Sequence, residues 1–304
     1  MVKPDIKLDR ALFNANPNLS IEKAIKEFVA TSPLNCLPSC NNIPISEEPL
    51  VAFADGDDSI FQDYKTIIGD HHITPREAMG KYIESRRWRY DRETDIKDIS
   101  VISYAMPVAR EARLSERNTQ HGGSLYYNHA RWLGEKFRVN MRDQIILLLE
   151  LMGVYAFTPS RFVETKSTPN GLIAGWSERH VAYACGLGTF GLNGLMITSR
   201  GCAVYLNSIV CDLALTPTPR NKGSHTANCL YYYDGSCRKC IERCAGNAIN
   251  DQGRSNLKCR ENLTKNQPAN LKQLGLDNDL VGGAPACGLC SNGVPCEDKI
   301  PVPS

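Results

Sequence analysis

Apolar residues recur at helical spacing near the start of the chain. Positions 21, 24, 25, 28 and 29 are apolar, and Ser20 stands where the N-cap of such a helix is expected. Pro75 suits the first turn of a second helix, which we expect to run to about Tyr90. Between the two, residues 51–54 predict a short strand. This part of the chain therefore combines helices with a strand.

The middle of the chain carries stronger patterns. Residues 99–106 are mostly apolar without regular alternation, which predicts a buried strand ending at Pro107. Residues 125–137 and 141–153 predict two helices. The apolar stripe of the second helix ends at Gly153, a residue suited to closing a helix. Such a stripe is typical of a helix that packs on a core.

A third helical pattern opens at Ser177 or Glu178 and ends in a glycine-rich turn. Two strand-like runs follow, at residues 195–198 and 203–215, and a turn at residues 199–201 separates them. Strands and helices therefore continue to alternate up to the start of the last third of the chain.

This alternation, followed by a cysteine-rich unit, predicts an α+β fold: an α/β body with a small appended module. Pro217 and Pro219 mark the linker between the two. We divide the chain into an N-terminal helical and irregular region at residues 1–98, an α/β core at 99–218 and the cysteine-rich module at 219–304.

Composition is ordinary for a globular protein of 304 residues, with 42% hydrophobic residues, 22% charged residues and a net charge of +2. This balance predicts neither a nucleic-acid coat nor a membrane surface. No apolar run reaches the length of a membrane span, and the first residues lack the apolar core of a signal peptide. Thirteen cysteines in a chain of this length do not suggest a secreted disulfide framework, so we expect a cytoplasmic protein.

Eight of the thirteen cysteines fall in the last quarter of the chain. Two-cluster ferredoxins use a C-x2-C-x2-C-x3-C run, whose fourth cysteine ligates the other cluster. The last three positions of that run are Cys237, Cys240 and Cys244, whereas Asp234 occupies the first and Cys229 lies five residues before it. The full set is Cys229, Cys237, Cys240, Cys244, Cys259, Cys287, Cys290 and Cys296.

Eight thiolates are the number that two 4Fe–4S clusters require. By analogy with two-cluster ferredoxins, one cluster takes Cys237, Cys240, Cys296 and either Cys229 or Asp234. The other takes Cys244, Cys259, Cys287 and Cys290. The alternatives are a zinc site built from the two C-x2-C pairs, or free structural thiols; zinc uses four ligands and leaves four of these cysteines without a role. The pattern favours iron–sulfur clusters.

The glycine-rich turn has the letters of a dinucleotide-binding fingerprint, at Gly186, Gly188 and Gly191. That fingerprint must follow a strand and open a helix. Here the glycines close a helix and lead into a strand, so the context argues against a dinucleotide site. Two interpretations stay open: a plain helix C-cap and turn, or a backbone surface that approaches a flat cofactor closely.

Taken together, these segments resemble a known family. Residues 178–193, then Gly201 with the strand after it, and the double cysteine motif are similar to epoxyqueuosine reductases and to their relatives, the reductive dehalogenases. The match is clearest from residue 178 to about 296. A weaker match begins at residues 103–107 and passes through 127–129, and the first hundred residues do not share it.

The resemblance implies a nitroreductase-like α/β body that binds cobalamin, and a ferredoxin-like module whose two 4Fe–4S clusters supply its electrons. Carried over by position, Gly186, Gly188, Gly191 and Asn193 lie against the corrinoid, and the eight cysteines hold the clusters. The hard chemistry then belongs to the cofactors, while the protein positions them and tunes their potentials.

Three positions depart from the family's pattern. Members that form queuosine carry an aspartate as proton donor where this chain has Leu172. Leu192 replaces a lysine in the glycine-rich turn, and Ala245 replaces the proline after the fourth cluster cysteine. We therefore expect a divergent member that reduces a different substrate, either a small molecule or a modified base.

The residues leave the proton donor, the cofactor and the partners open. Tyrosine or histidine is able to protonate an intermediate, and the candidates are His121, Tyr126, Tyr127, His129 and His180. We assign none of them as the catalytic acid. The alternatives to a corrinoid reductase are an electron-transfer protein without cobalamin and a flavin-dependent reductase. In each case an external electron donor of ferredoxin or flavodoxin type is expected, and no membrane partner.

Overall fold

A four-stranded antiparallel sheet lies at the centre of the body. The computed structural model describes residues 6–86, 96–168, 171–221, 223–276 and 285–303. The α-helices are α1 (Arg10–Ala15), α2 (Pro17–Thr31), α3 (Ile60–Ile67), α4 (Pro75–Ser85), α5 (Arg110–Arg117), α6 (Leu125–Leu151), α7 (Glu178–Ala184), α8 (Leu230–Asp234), α9 (Lys239–Glu242), α10 (Asn256–Lys265) and α11 (Gln267–Gln273). The strands are β1 (Leu50–Asp55), β2 (Ser100–Pro107), β3 (Ala156–Phe157), β4 (Thr165–Thr168), β5 (Gly171–Ala174), β6 (Gly188–Phe190), β7 (Met196–Thr198), β8 (Val204–Cys211), β9 (Ile249–Asn250) and β10 (Gly253–Arg254).

The central sheet has the order β1–β2–β8–β3. Every residue of β2 is buried, as expected for a strand with a neighbour on each side and helices on both faces. Its side chains divide by the period of two that a strand imposes. Ile102, Tyr104 and Met106 join one core cluster, whereas Val101 and Ala105 join another. The sheet therefore separates two apolar layers.

Helices cover both faces of the sheet. On one face α2 packs against α6, with the rings of Phe28 and Phe137 stacked at 5.7 Å. On the other face α3, α4 and α7 contribute to the second core cluster, in which Tyr82 stacks on Phe157 at 4.5 Å. This arrangement confirms a mixed fold of helices and small sheets.

Two helix predictions were wrong in their limits. The first helix begins at Pro17 and not after Ser20, because the side chain of Asn16 accepts from the Leu19 amide at 3.0 Å and caps it there. Ser20 is buried inside the helix. The two helices expected at 125–137 and 141–153 are one helix, α6, since no glycine or proline interrupts residues 138–140.

The other expected elements are present, although the run predicted as a strand at 203–215 is a strand only from Val204 to Cys211. The helix at Pro75 is confirmed and ends at Ser85; its expected end at Tyr90 lies outside the described residues. The strands predicted at 51–54 and 99–106 are β1 and β2. The domain boundaries stay predictions, although β1 pairs with β2 along its whole length and so joins the first region to the sheet.

None of the helices in the described part of the chain is both long and apolar enough to cross a membrane.

His72 is buried next to Tyr64 and Trp176, two aromatic residues of the second core cluster. Its ring stacks on Trp176 at 5.9 Å, and its Nε2 accepts from the Ser177 amide at 3.2 Å. Burial lowers the pKa of His72 from 6.5 to about 4. The unfolded chain therefore binds a proton at this residue between these two values, whereas the folded protein does not.

This difference predicts a loss of stability in acid. As the pH falls from about 7.5 to about 5, His72 should cost the fold about 2 kcal/mol in the free energy of unfolding. Urea unfolding at both pH values measures it. His72→Gln should lose this part of the pH dependence, whereas the exposed control His121→Gln should retain it. An equal pH dependence in the two variants would contradict the assignment.

Candidate metal centres

The eight cysteines of the C-terminal segment line two separate cavities. Four of them line a small cavity of about 20 Å³, which we call the Cys229 cavity: Cys229, Cys237, Cys240 and Cys296. The other four line a larger cavity of about 520 Å³, which we call the Cys259 cavity: Cys244, Cys259, Cys287 and Cys290.

The Cys229 cavity is built from two short helices and the last turn of the chain. Cys229 is the N-cap of α8, and Cys240 lies in α9. Asp234, at the other end of α8, is exposed; its carboxylate accepts from the Ser236 amide at 2.9 Å, and it does not line the cavity. Of the two residues that the sequence left open, Cys229 therefore faces the other three thiols.

The Cys259 cavity draws its thiols from three stretches of chain. Cys259 lies in α10, and its sulfur accepts from Arg254 Nη2 at 3.1 Å. Cys244 follows α9, and its sulfur accepts from the Ala248 amide at 3.2 Å. Arg179 and Arg254 both line the cavity. Positively charged side chains and N–H donors therefore lie next to the sulfurs of this cavity.

The segment that carries Cys287, Cys290 and Cys296 is anchored by a buried carboxylate. Glu297 is 1% exposed and accepts from Arg117 Nε at 2.7 Å and from the Gly293 amide at 2.7 Å. Arg113 Nη1 lies 3.3 Å from the same carboxylate. The segment is thus tied to α5 of the body.

Cys202 lies between the two cavities. Its sulfur is 3.6 Å from the sulfur of Cys296, yet Cys202 itself lines the Cys259 cavity. Asn193 supports this junction, since its Nδ2 donates to the Cys290 carbonyl at 2.7 Å and lies 3.9 Å from the Cys202 sulfur. The sequence motifs did not indicate Cys202, because it lies 27 residues before the first cysteine of the cluster pattern.

The glycine-rich turn packs mainly against the chain itself. It follows α7 and precedes β7, as expected, but it also contains the short strand β6, which the sequence did not predict; Gly186 has a φ of +80°. A Cβ at Gly186 would lie 2.8 Å from the Pro219 carbonyl oxygen, and one at Gly188 would lie 2.3 Å from the Ile197 carbonyl oxygen. Gly191 and Asn193 line the Cys229 cavity. Their role against a corrinoid stays a prediction.

The candidate proton donors are spread over the structure. Tyr127 is buried and lines the Cys259 cavity. His180 packs against Tyr64 at 5.1 Å, with its Nδ1 2.8 Å from the Ser177 hydroxyl. His121 is exposed, Tyr126 packs at the edge of the first core, and His129 lies 3.4 Å from the Ser39 hydroxyl. Leu172, in the family's aspartate position, is 43% exposed on β5.

Burial sets the protonation of several thiols. It raises the pKa of Cys240, Cys287 and Cys290 to about 12 each. A metal must therefore displace protons to bind here, as thiol ligands generally require. Among the residues that the structure describes, no group of three or more Cys, His, Asp or Glu side chains is close enough to hold a metal ion.

Neither a scan against protein-family models nor a search of the curated proteins found a match. Among solved structures, an epoxyqueuosine reductase from Bacillus subtilis is similar over 84% of this chain and 63% of its own, with 18% identity and a TM-score of 0.42. An epoxyqueuosine reductase with a modified stem loop of tyrosine tRNA is similar over 91% of this chain and 66% of its own, with 15% identity and a TM-score of 0.45. A variant of a catabolic reductive dehalogenase is similar over 80% of this chain and 34% of its own, with 14% identity and a TM-score of 0.40.

These neighbours come from the two groups of enzymes that the sequence resembles. This chain spans under two thirds of the length of each of them.

The packing of Gly188 predicts a structural role that needs no cofactor. Gly188→Ala should lower the free energy of unfolding by roughly 1–3 kcal/mol in protein never exposed to cobalamin, because the added methyl meets a backbone oxygen of β7. Gly80→Ala is the matched control, because Gly80 is exposed on α4 and a Cβ added there has no other atom within 4 Å. Chemical unfolding of both variants measures the effect. Equal stability of the two would contradict this assignment.

Proposed function

We propose that this chain is an iron–sulfur reductase that holds two 4Fe–4S clusters. The observation that carries the proposal is the division of eight cysteines between two cavities, four to each. Each set has the number of thiolates that one 4Fe–4S cluster requires. The Cys229 cavity, at about 20 Å³, is much smaller than the Cys259 cavity, at about 520 Å³, so a cluster there requires its cysteine side chains to move apart.

The two sets adjoin each other at Cys202, whose sulfur contacts Cys296 of one set while it lines the cavity of the other. Adjacent clusters suit stepwise electron transfer from an external ferredoxin or flavodoxin to a buried acceptor. We further propose the finer architecture on this basis: a nitroreductase-like body with a ferredoxin-like module, working in the cytoplasm.

The proposed acceptor is a corrinoid, which supplies low-valent cobalt as the reductant of a small molecule or modified base. Support for the corrinoid comes from the sequence resemblance alone. Two of the four residues assigned to it, Gly186 and Gly188, pack against the chain's own backbone, and neither of them lines one of the described cavities. We therefore derive no catalytic step through this cofactor. We propose a substrate other than epoxyqueuosine, because Leu172 stands where the family has its proton-donating aspartate and cannot donate a proton.

The decisive experiment is an anaerobic absorption spectrum with iron and cobalt analysis, after reconstitution with iron, sulfide and cobalamin. We expect about eight irons per chain and stoichiometric cobalt that survives desalting. Eight irons without cobalt would leave an electron-transfer protein or a flavin enzyme, which a parallel reconstitution with flavin distinguishes. Iron well below this number would contradict the two-cluster proposal.

A pair of variants tests the ligands of the first cluster. Because Cys229 faces the other thiols and Asp234 does not, Cys229→Ala should lower the iron content from about eight towards about four, and Asp234→Ala should leave it unchanged. Anaerobic iron analysis of both reconstituted variants provides the measurement. An unchanged count in Cys229→Ala would remove this residue as a ligand.

A further inference from the structure

A third cavity lies beside the Cys259 cavity and shares Arg131 and Tyr205 with it. Its volume is about 350 Å³, and we call it the arginine cavity. Three arginines of α6 line it together with residues from β8, from the start of α7 and from the turn after β3. None of the sequence motifs pointed to this place.

The three arginines lie on one face of α6 because of their spacing. Arg131, Arg138 and Arg142 are seven and four residues apart, which brings their side chains to the same side of a helix. Glu135 is the carboxylate partner of two of them, at 3.3 Å from Arg131 and 2.7 Å from Arg138. The cavity therefore has more cations than anions.

Arg142 has a different partner. It lies 3.2 Å from Asp143, and Arg161 lies 2.9 Å from the same carboxylate oxygen. Arg142 lines the cavity, whereas Asp143 and Arg161 do not. The remaining acid of the cavity is Glu178, and burial raises the pKa of its carboxyl group to about 7. The lining side chains therefore carry a net positive charge whether or not Glu178 is ionised.

Polar atoms around this cavity lack hydrogen-bond partners. Arg138 is 5% exposed, and its Nη1 is buried without a partner. Its guanidinium lies over the ring of Tyr205, at 3.9 Å from the ring centroid. Oε2 of Glu178 is also buried without a partner, and the buried hydroxyl of Tyr205 has only the Arg138 guanidinium beside it in the described part of the chain. Native proteins rarely leave such groups unpaired, so each calls for a ligand or an ordered water.

We propose that the arginine cavity binds an oxyanion group, a carboxylate or a phosphate, of a ligand that this protein recognises. Guanidinium groups offer planar pairs of N–H donors that match both kinds of oxyanion. Tyr205 and the buried Thr158 add neutral donors beside them. Partial burial strengthens these contacts, since charges are less screened there than at the surface.

The position of the cavity links it to the proposed reductase. Arg131 and Tyr205 form a wall common to the arginine cavity and the cavity of the second cysteine set. A ligand bound in the arginine cavity therefore lies next to the cavity of the second cysteine set. The idea that this ligand is the substrate of the reductase rests on the proposed function. The binding of an anion does not.

The test measures binding of inorganic phosphate and of acetate to the full chain by anaerobic titration calorimetry, at constant ionic strength in chloride. Arg142→Gln removes a guanidinium that lines the cavity. Arg161→Gln is the control, because it removes a guanidinium that pairs with the same carboxylate, that of Asp143, but lies outside the cavity. We expect Arg142→Gln to lower the affinity for the better-binding anion about tenfold, because one charge-assisted hydrogen bond is lost. Arg161→Gln should keep its affinity within about twofold of the unchanged chain.

Tyr205→Phe provides a second variant in case Arg142→Gln fails to fold. Among the residues that the structure describes, the only polar neighbour of the Tyr205 hydroxyl is the Arg138 guanidinium, so its removal disturbs at most that one contact. The affinity for the anion should fall about threefold. Preference for phosphate or for acetate identifies which oxyanion the site takes.

Two results would overturn the proposal: no binding of either anion to the unchanged chain, or equal losses in Arg142→Gln and Arg161→Gln. The iron content of the same samples separates this failure from failure of the proposed function. Full iron with no anion binding contradicts the anion site alone, and anion binding with little iron contradicts the clusters alone.

Discussion

The cysteine-rich segment depends on a buried charge that ties it to the body. Its own apolar cluster is small, and several of its members are the cysteines themselves. Glu297 supplies the anchor, because a buried carboxylate is stable only when cations and amides surround it, and Arg113, Arg117 and the Gly293 amide do so here. The amides of Cys202 and Ala203 donate to the carbonyls of Cys296 and Glu297 and fix the same stretch to the start of β8. The stretch held in this way carries Cys290 of one cavity and Cys296 of the other.

Three cavities follow one another along the molecule. Cys202, which lines the Cys259 cavity, contacts Cys296 of the Cys229 cavity, and the Cys259 cavity shares Arg131 and Tyr205 with the arginine cavity. Thiols line the first two, and guanidinium groups line the third. This order fits the proposed function, with thiols for the clusters in the first two cavities and cations for an anionic ligand in the third.

The glycine-rich turn illustrates how one pattern serves two interpretations. From the sequence pattern alone, its three glycines were compatible with a surface for a flat cofactor or with a plain helix C-cap and turn. In the fold, Gly186 and Gly188 are required by the close approach of neighbouring backbone, from the linker at Pro219 and from β7. Asn193 at the end of the turn instead supports the loop that carries Cys290. The turn thus has a structural task that is independent of any cofactor.

The sequence by itself determined the local elements and suggested the two-cluster hypothesis. Apolar runs marked β1 and β2, Pro75 marked the start of α4, and the number and spacing of cysteines indicated two clusters, because these signals depend only on neighbouring residues. Its errors at Ser20 and at residues 138–140 concerned helix ends, where a single cap or the lack of a helix breaker decides the limit. Only the tertiary structure decided which residues converge: Cys229 and not Asp234 beside Cys240, Cys202 against Cys296, and three arginines of α6 opposite Tyr205 and Glu178. Those contacts join residues far apart in the chain, and only packing around the shared sheet brings them together.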